Sequence, residues 1–160
     1  MILRIYTIIH VLISLLGIAA GFVVMAGMLS ADPMDSWTKF FLAMTVATSV
    51  TGFFFPVKKL MPSHIVGIIS LVLLGAAIYA RYPAHLEGSW RWIYVVGAVM
   101  AQYLNVFVLV VQSFQKIPAL KALAPTQKEP PFKMAQLSLL GMFIVAGLLA
   151  VTKFKVLMIP

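Results

Sequence analysis

Long stretches without charged residues are the feature that most constrains the fold of this chain. Five of them, of 27, 18, 21, 24 and 19 residues, run at 5–31, 40–57, 60–80, 92–115 and 134–152. A helix that rises about 1.5 Å per residue needs roughly 20 residues to cross about 30 Å of hydrocarbon, so each stretch can form one crossing. The sequence therefore predicts an all-α, polytopic transmembrane helix bundle with five spans, at about 5–29, 38–57, 64–81, 91–114 and 134–153.

The composition supports a single membrane domain over residues 1–160. The chain is 62% hydrophobic and 10% charged, which is far from the composition of soluble globular domains. It has no cysteine, which excludes disulfides and thiolate metal sites. The net charge of +8 comes from cations near span ends rather than from a basic patch interleaved with aromatic residues, so we expect a lipid bilayer and not a nucleic acid as the surrounding partner.

The distribution of Lys and Arg predicts the orientation. With five crossings the loops sort into two ends of the bundle, which we call end A, where the chain starts, and end B. End A collects Arg4, Lys58, Lys59, Lys116, Lys121, Lys128 and Lys133, and end B collects Lys39, Arg81, Arg91, Lys153 and Lys155. Seven cations against five predict a cytoplasmic N-terminus by the positive-inside rule.

Two end A connections have proline signatures. Residues 58–63 lie between Pro56 and Pro62 and are expected to form a tight turn. Residues 114–133 are rich in Pro and Lys, and we expect an irregular cytoplasmic loop on the lipid headgroups. The pair Pro130 and Pro131 is expected to stop any helix before the fifth span.

Polar side chains within the spans indicate which helix faces are packed, because they are unfavourable against lipid. His10, Gly17 and Gly21 share one stripe of the first helix, and small residues at such spacing allow close approach of a neighbour. On the fourth helix three amides, those of Gln102, Asn105 and Gln112, fall within about 80° of one another. The second helix has a comparable face of hydroxyl and small residues, formed by Thr38, Thr45, Thr48, Ser49 and Gly52.

Four polar residues form a candidate cofactor site. His10, His64, Asn105 and Gln112 all belong to the end A half of the predicted bundle, together with Gln136, and could converge in a polar pocket of the cytoplasmic leaflet. Two histidines on separate helices could ligate a b-type haem, and imidazole and amide donors could bind a quinone headgroup. The alternative is that the amides are interhelical hydrogen-bond links and the histidines are structural.

The function predicted from these features is that of a non-enzymatic integral membrane protein. The predicted spans contain no Asp, Glu, Lys or Arg at their centres, and the chain has no HExxH, nucleophile elbow or phosphate loop. Small-residue faces such as Gly17/Gly21 and Gly97/Ala101 can receive partner helices as well as internal ones. We therefore expect an accessory subunit that packs against a larger membrane complex, or a homo-oligomer, with the cofactor-binding protein as the alternative.

Several segments resemble those of a family of small polytopic inner-membrane proteins of unknown function that is common in proteobacteria. They are residues 51–56 (TGFFFP), 62–70 (PSHIVGIIS), 90–96 (WRWIYVV), 102–112 (QYLNVFVLVVQ) and 124–127 (APTQ). The resemblance covers most of the chain and implies a bacterial inner membrane. It implies no activity and supplies no catalytic or cofactor residues.

Overall fold

A computed structural model describes residues 1–56 and 62–155. Within these ranges the regular structure is entirely helical, which confirms the predicted all-α bundle. The helices are α1 (Ile2–Leu29), α2 (Asp35–Gly52), α3 (Pro62–Arg81), α4 (Trp90–Lys116), α5 (Pro118–Leu123) and α6 (Pro130–Lys153).

Four of the five long helices, α1, α3, α4 and α6, are long and apolar enough to cross a membrane. The protein is therefore a multi-pass membrane protein. The remaining long helix, α2, is less apolar because it starts with Asp35, includes Lys39 and carries several hydroxyl residues. Three of these, Thr38, Thr45 and Ser49, are buried against the other helices.

Successive long helices run antiparallel. The start of α1 meets the end of α2, where the Tyr6 hydroxyl donates a 2.6 Å hydrogen bond to the carbonyl of Thr51. In the middle of the same pair, Gly17 lies against Met44, and a β-carbon at Gly17 would be 3.3 Å from the Met44 Cβ. The glycine stripe predicted from the sequence therefore lies in a packed interface, and α2 lies alongside α1 over its full length.

Helix α4 lies at the centre of the bundle and has nine buried residues. Its small residues allow close packing: a β-carbon at Gly97 would be 3.0 Å from the carbonyl oxygen of Leu73 on α3. On another side of α4, Tyr103 packs its ring edge-on against Phe143 of α6, with centroids 5.7 Å apart. Gly97 thus belongs to an internal interface.

The connection between α4 and α6 differs from the irregular loop predicted over 114–133. Helix α4 continues to Lys116, the short helix α5 follows, and α6 begins at Pro130. Pro130 and Pro131 occupy the first turn of α6, where an N–H has no helical partner and the fixed φ of proline favours the helix. As expected from the sequence, no helix runs into this span from residues 124–129. The turn predicted at 58–63 lies largely outside the described residues, as do Lys58 and Lys59.

A hydrogen-bonded turn at Glu129 precedes α6. The carboxylate accepts bonds from the Thr126 hydroxyl at 2.8 Å and from the Lys128 amide at 3.0 Å. Desolvation raises the pKa of Glu129, but the hydrogen bonds from Thr126 and Lys128 outweigh it and hold the pKa below its usual value. The carboxylate therefore stays ionised at neutral pH beside the N-terminus of α6, where the helix dipole favours negative charge.

Candidate functional site

His10 lies on the packed face of α1 and is partly buried. Its Nδ1 is 2.8 Å from the Thr51 hydroxyl oxygen, and that hydroxyl donates its own proton to the Ala47 carbonyl at 2.6 Å. Because the hydroxyl proton is already used, Thr51 accepts from His10, and the Nδ1 of His10 carries a proton. In the neutral ring Nε2 is then the nitrogen with a lone pair, which is the atom that could bind a metal or accept a proton.

His64 is buried in the first turn of α3. Its ring packs against Phe53 with centroids 5.6 Å apart. The ring of His10 meets Phe55 edge-on at 5.1 Å. The structure thus brings both histidines to the same short segment, residues 51–55 at the C-terminal end of α2.

The two predicted amides lie elsewhere. Asn105 donates from Nδ2 to the Thr45 hydroxyl at 3.3 Å, and Thr45 is six residues, about 9 Å, before Thr51 along α2. Gln112 is exposed near the end of α4. Gln136, grouped with them from the sequence, donates to the carbonyl of Phe107 at 3.4 Å. The described contacts therefore place His10 and Asn105 against α2 and His64 against Phe53 just after the end of α2, and they leave Gln112 on the surface.

Gln102 is the most deeply buried amide and has 0% exposure. Its Nε2 donates a 2.8 Å hydrogen bond to the carbonyl of Ile18 on α1. Its Oε1 is buried with no hydrogen-bond partner among the described residues and lies directly against Gly21. Interhelical bonds of this kind contribute about 0.6 kcal/mol in membrane bundles, so Gln102 links α4 to α1.

A charged cluster at end B was not predicted from the sequence. The Arg81 side chain is buried at the end of α3, and its Nη2 donates to the Asp35 carboxylate and, at 2.8 Å, to the Pro33 carbonyl. The guanidinium also lies 4.9 Å from the centre of the Tyr94 ring. The sequence did contain a signal for this pair, because Asp35 and Arg81 have opposite charges and lie at neighbouring span ends on the same side of the membrane.

A second arginine at end B also has a packing role. Arg91, in the first turn of α4, donates from Nη1 to the carbonyls of Val151 at 2.9 Å and Phe154 at 2.7 Å. These carbonyls lie at the C-terminal end of α6, where they lack helical partners and where a cation is favoured. Arg91 therefore fixes the end of α6 to α4.

The chemistry available to this arrangement is that of hydrogen bonding and of the imidazole rings of His10 and His64. In the part of the chain that the structure describes, no three His, Asp or Glu residues gather as a metal site would require. The chain matches no protein-family model, no curated protein and no solved structure.

Proposed function

We propose that this protein is a non-enzymatic, multi-pass protein of the bacterial inner membrane that serves as an accessory subunit of a larger membrane complex and docks through α6. One observation carries the proposal: α6 has only three buried residues, and a β-carbon placed at Gly141 on its open face would meet nothing within 4 Å. Gly141 is exposed on the outward face of α6, with Ser138 one turn before it and Val145 one turn after it.

The energetics of a helix support a partner at this position. Gly destabilises a helix interior by about 1 kcal/mol relative to Ala, and nothing else in the described chain uses the space above Gly141. Small residues at exposed positions allow the backbone of a second helix to approach closely, and such close packing favours helix association in lipid. Helix α6 has only three buried residues, Leu139, Phe143 and Ala150, so most of its surface is open to such a partner.

The proposal includes five crossings with the N-terminus in the cytoplasm. Its support is the excess of cations at end A and the packing of α2 along α1 between the Tyr6–Thr51 bond and Met34, which lies against Gly27. An α2 of 18 residues is about 27 Å long, close to the hydrocarbon thickness.

Replacing Gly141 by Leu is expected to remove the partner without unfolding the protein. The side chain would enter open space in the subunit but would block close approach of a second helix. Affinity purification of tagged protein in a mild detergent, followed by native electrophoresis, should show a large assembly for the parent and an isolated subunit for Gly141→Leu. Gly75→Leu is the matched control, because Gly75 on α3 also has nothing within 4 Å of its β-carbon position.

Two results would contradict the proposal. One is recovery of the parent as an isolated monomer in several mild detergents. The other is an equal loss of the assembly in Gly141→Leu and Gly75→Leu, which would indicate a general effect on insertion rather than a docking face on α6.

A second candidate function, binding of a b-type haem or a quinone, is favoured by the geometry of His10. Histidine ligands of metals commonly donate their other ring N–H to a second residue, which fixes the tautomer. His10 has this arrangement, with Nδ1 donating to Thr51. His64 would be the second residue to hold a haem iron. Of the two predicted amides, Asn105 would be the donor to a quinone headgroup, because Gln112 is exposed near the end of α4.

An optical spectrum tests this candidate. Protein expressed with ample haem should show a Soret band and sharp reduced α and β bands that disappear in His10→Ala, whereas Thr7→Ala on an exposed part of α1 should keep them. A colourless parent contradicts the haem version. Lipid extraction and mass spectrometry then address the quinone version, which fails if His10→Ala retains as much quinone as the parent.

A further inference from the structure

A groove opens towards the lipid between α2 and α3 near end B. It has a volume of about 360 Å³, within the range of small-molecule sites. Its walls are formed by Lys39, Leu42, Ala43, Val46, Ile78 and Tyr82. The groove is formed by residues of α2 and α3 and just after α3, whereas the docking face proposed above lies on α6.

The chemistry of the groove changes along its length. Lys39 and Tyr82 are its members nearest end B, and Val46 lies two turns deeper, about 10 Å along α2 from Lys39. The deeper wall is aliphatic. The Tyr82 hydroxyl is buried and has no hydrogen-bond partner among the described residues. The groove thus has a cationic mouth and an apolar floor.

The charge at the mouth is not neutralised by the nearest carboxylate. Asp35 lies one turn before Lys39 on α2, but it is paired with the buried Arg81. Lys39 itself is exposed and has no ion pair within the described part of the chain. The Lys39 ammonium therefore carries an unpaired positive charge where the groove opens.

The position of the groove's mouth relative to the lipid headgroups follows from a neighbouring tryptophan. Trp37, two residues before Lys39, is exposed and contacts Phe40 edge-on at 6.4 Å. Exposed tryptophan in membrane proteins sits at the level of the lipid headgroups. This places the Lys39 ammonium at the height of lipid phosphates and Val46 at the height of acyl chains.

We propose that the groove binds one anionic phospholipid of the end B leaflet, with an acyl chain along Leu42, Ala43 and Val46 and the phosphate paired with Lys39. The apolar floor matches the chain, and the unneutralised ammonium matches the negative headgroup. A zwitterionic lipid offers the same chain but no net charge to Lys39, so the site should prefer the anionic one.

Thermal unfolding of the delipidated protein in detergent tests the proposal with defined lipids. Phosphatidylglycerol is expected to raise the Tm in a saturable way, and phosphatidylcholine with the same chains is expected to have little effect. Lys39→Gln should bind phosphatidylglycerol about fivefold more weakly, since one cation near an anionic surface contributes about 1 kcal/mol. Lys153→Gln, an exposed end B lysine outside the groove, is the matched control and should behave as the parent.

Filling the groove separates a bound chain from surface attraction. Ala43→Phe extends a ring from an exposed wall position and should abolish the saturable shift, and Val46→Trp provides a second variant if the first does not fold. Equal shifts with both lipids, or an unchanged response in Lys39→Gln, would overturn the anionic site. An unchanged response in the groove-filling variant would overturn the acyl-chain placement, and lipid-independent dimerisation lost in that variant would show a second copy as the occupant. Because the assay uses the isolated subunit, its outcome is independent of docking through α6.

Discussion

Replacing Asp35 by Asn is expected to destabilise the bundle by about 3 kcal/mol, although the carboxylate lies at the surface. The reason is the asymmetry of the ion pair: the side chain of Arg81 is 4% exposed, whereas that of Asp35 is 73% exposed. Removing Asp35 leaves a buried guanidinium without its counter-ion. The Pro33 carbonyl and the Tyr94 ring remain, but they supply only partial negative charge.

The double variant Asp35→Asn/Arg81→Met is expected to be more stable than Asp35→Asn alone. Methionine removes the buried charge together with its desolvation penalty and fills similar apolar space, so the unpaired-charge penalty disappears. What remains lost is the hydrogen bond to Pro33 and the contact with Tyr94.

Equilibrium unfolding in mixed micelles measures both variants. Glu87→Gln is a suitable control because Glu87 is an exposed carboxylate at the same end, and it should change stability by less than about 0.5 kcal/mol. If the double variant is less stable than Asp35→Asn, the buried charge is not the source of the destabilisation, and the direct contacts of Arg81 dominate instead.

The bundle could be predicted from the sequence because lipid imposes two constraints that a linear sequence displays directly. Charges must stay out of the hydrocarbon, and a helix must be long enough to cross it. The angular positions of polar and small residues on α1 also indicated its packed face: Gly17 lies against Met44, and His10 bonds to Thr51. The packed face, though not the partner residues, follows from one helix considered alone.

Properties that depend on which helices are neighbours could not be predicted in this way. Gln112 shares an angular sector with Gln102, yet it is exposed near the end of α4 while Gln102 has no exposure at all. Angle alone does not tell how deeply a residue lies among neighbouring helices. Arg81 was counted only as a topology signal, because its partners Asp35 and Tyr94 come from two other helices.

Gly21 is the position where a single added methyl group is expected to have a large effect. A β-carbon at Gly21 would overlap the side-chain amide of Gln102. That amide is held by its bond to Ile18 and is fully buried, so it cannot move aside freely. Gly21→Ala should therefore lower the free energy of unfolding by about 1–3 kcal/mol, the usual range for overpacking a core.

Gly75→Ala is the matched control for this substitution. Its β-carbon would meet no atom within 4 Å, so it carries the same gain in helix propensity, up to about 1 kcal/mol, without the overlap. The difference between the two variants in the same mixed-micelle unfolding assay isolates the steric effect at Gly21. Equal stabilities of Gly21→Ala and Gly75→Ala would show that α1 and α4 can move apart at Gly21 at little cost in free energy.

The overlap also predicts coupling between Gly21 and Gln102. Gln102→Ala alone should be destabilising, because it removes the bond to Ile18 and leaves a cavity beside Gly21. In Gly21→Ala/Gln102→Ala the new methyl group enters part of that cavity. The double variant should therefore lose less stability than the sum of the losses in the two single variants. Additive effects would mean that Gly21 and Gln102 do not share one space, and the close contact of α1 with α4 would then have to depend on other residues.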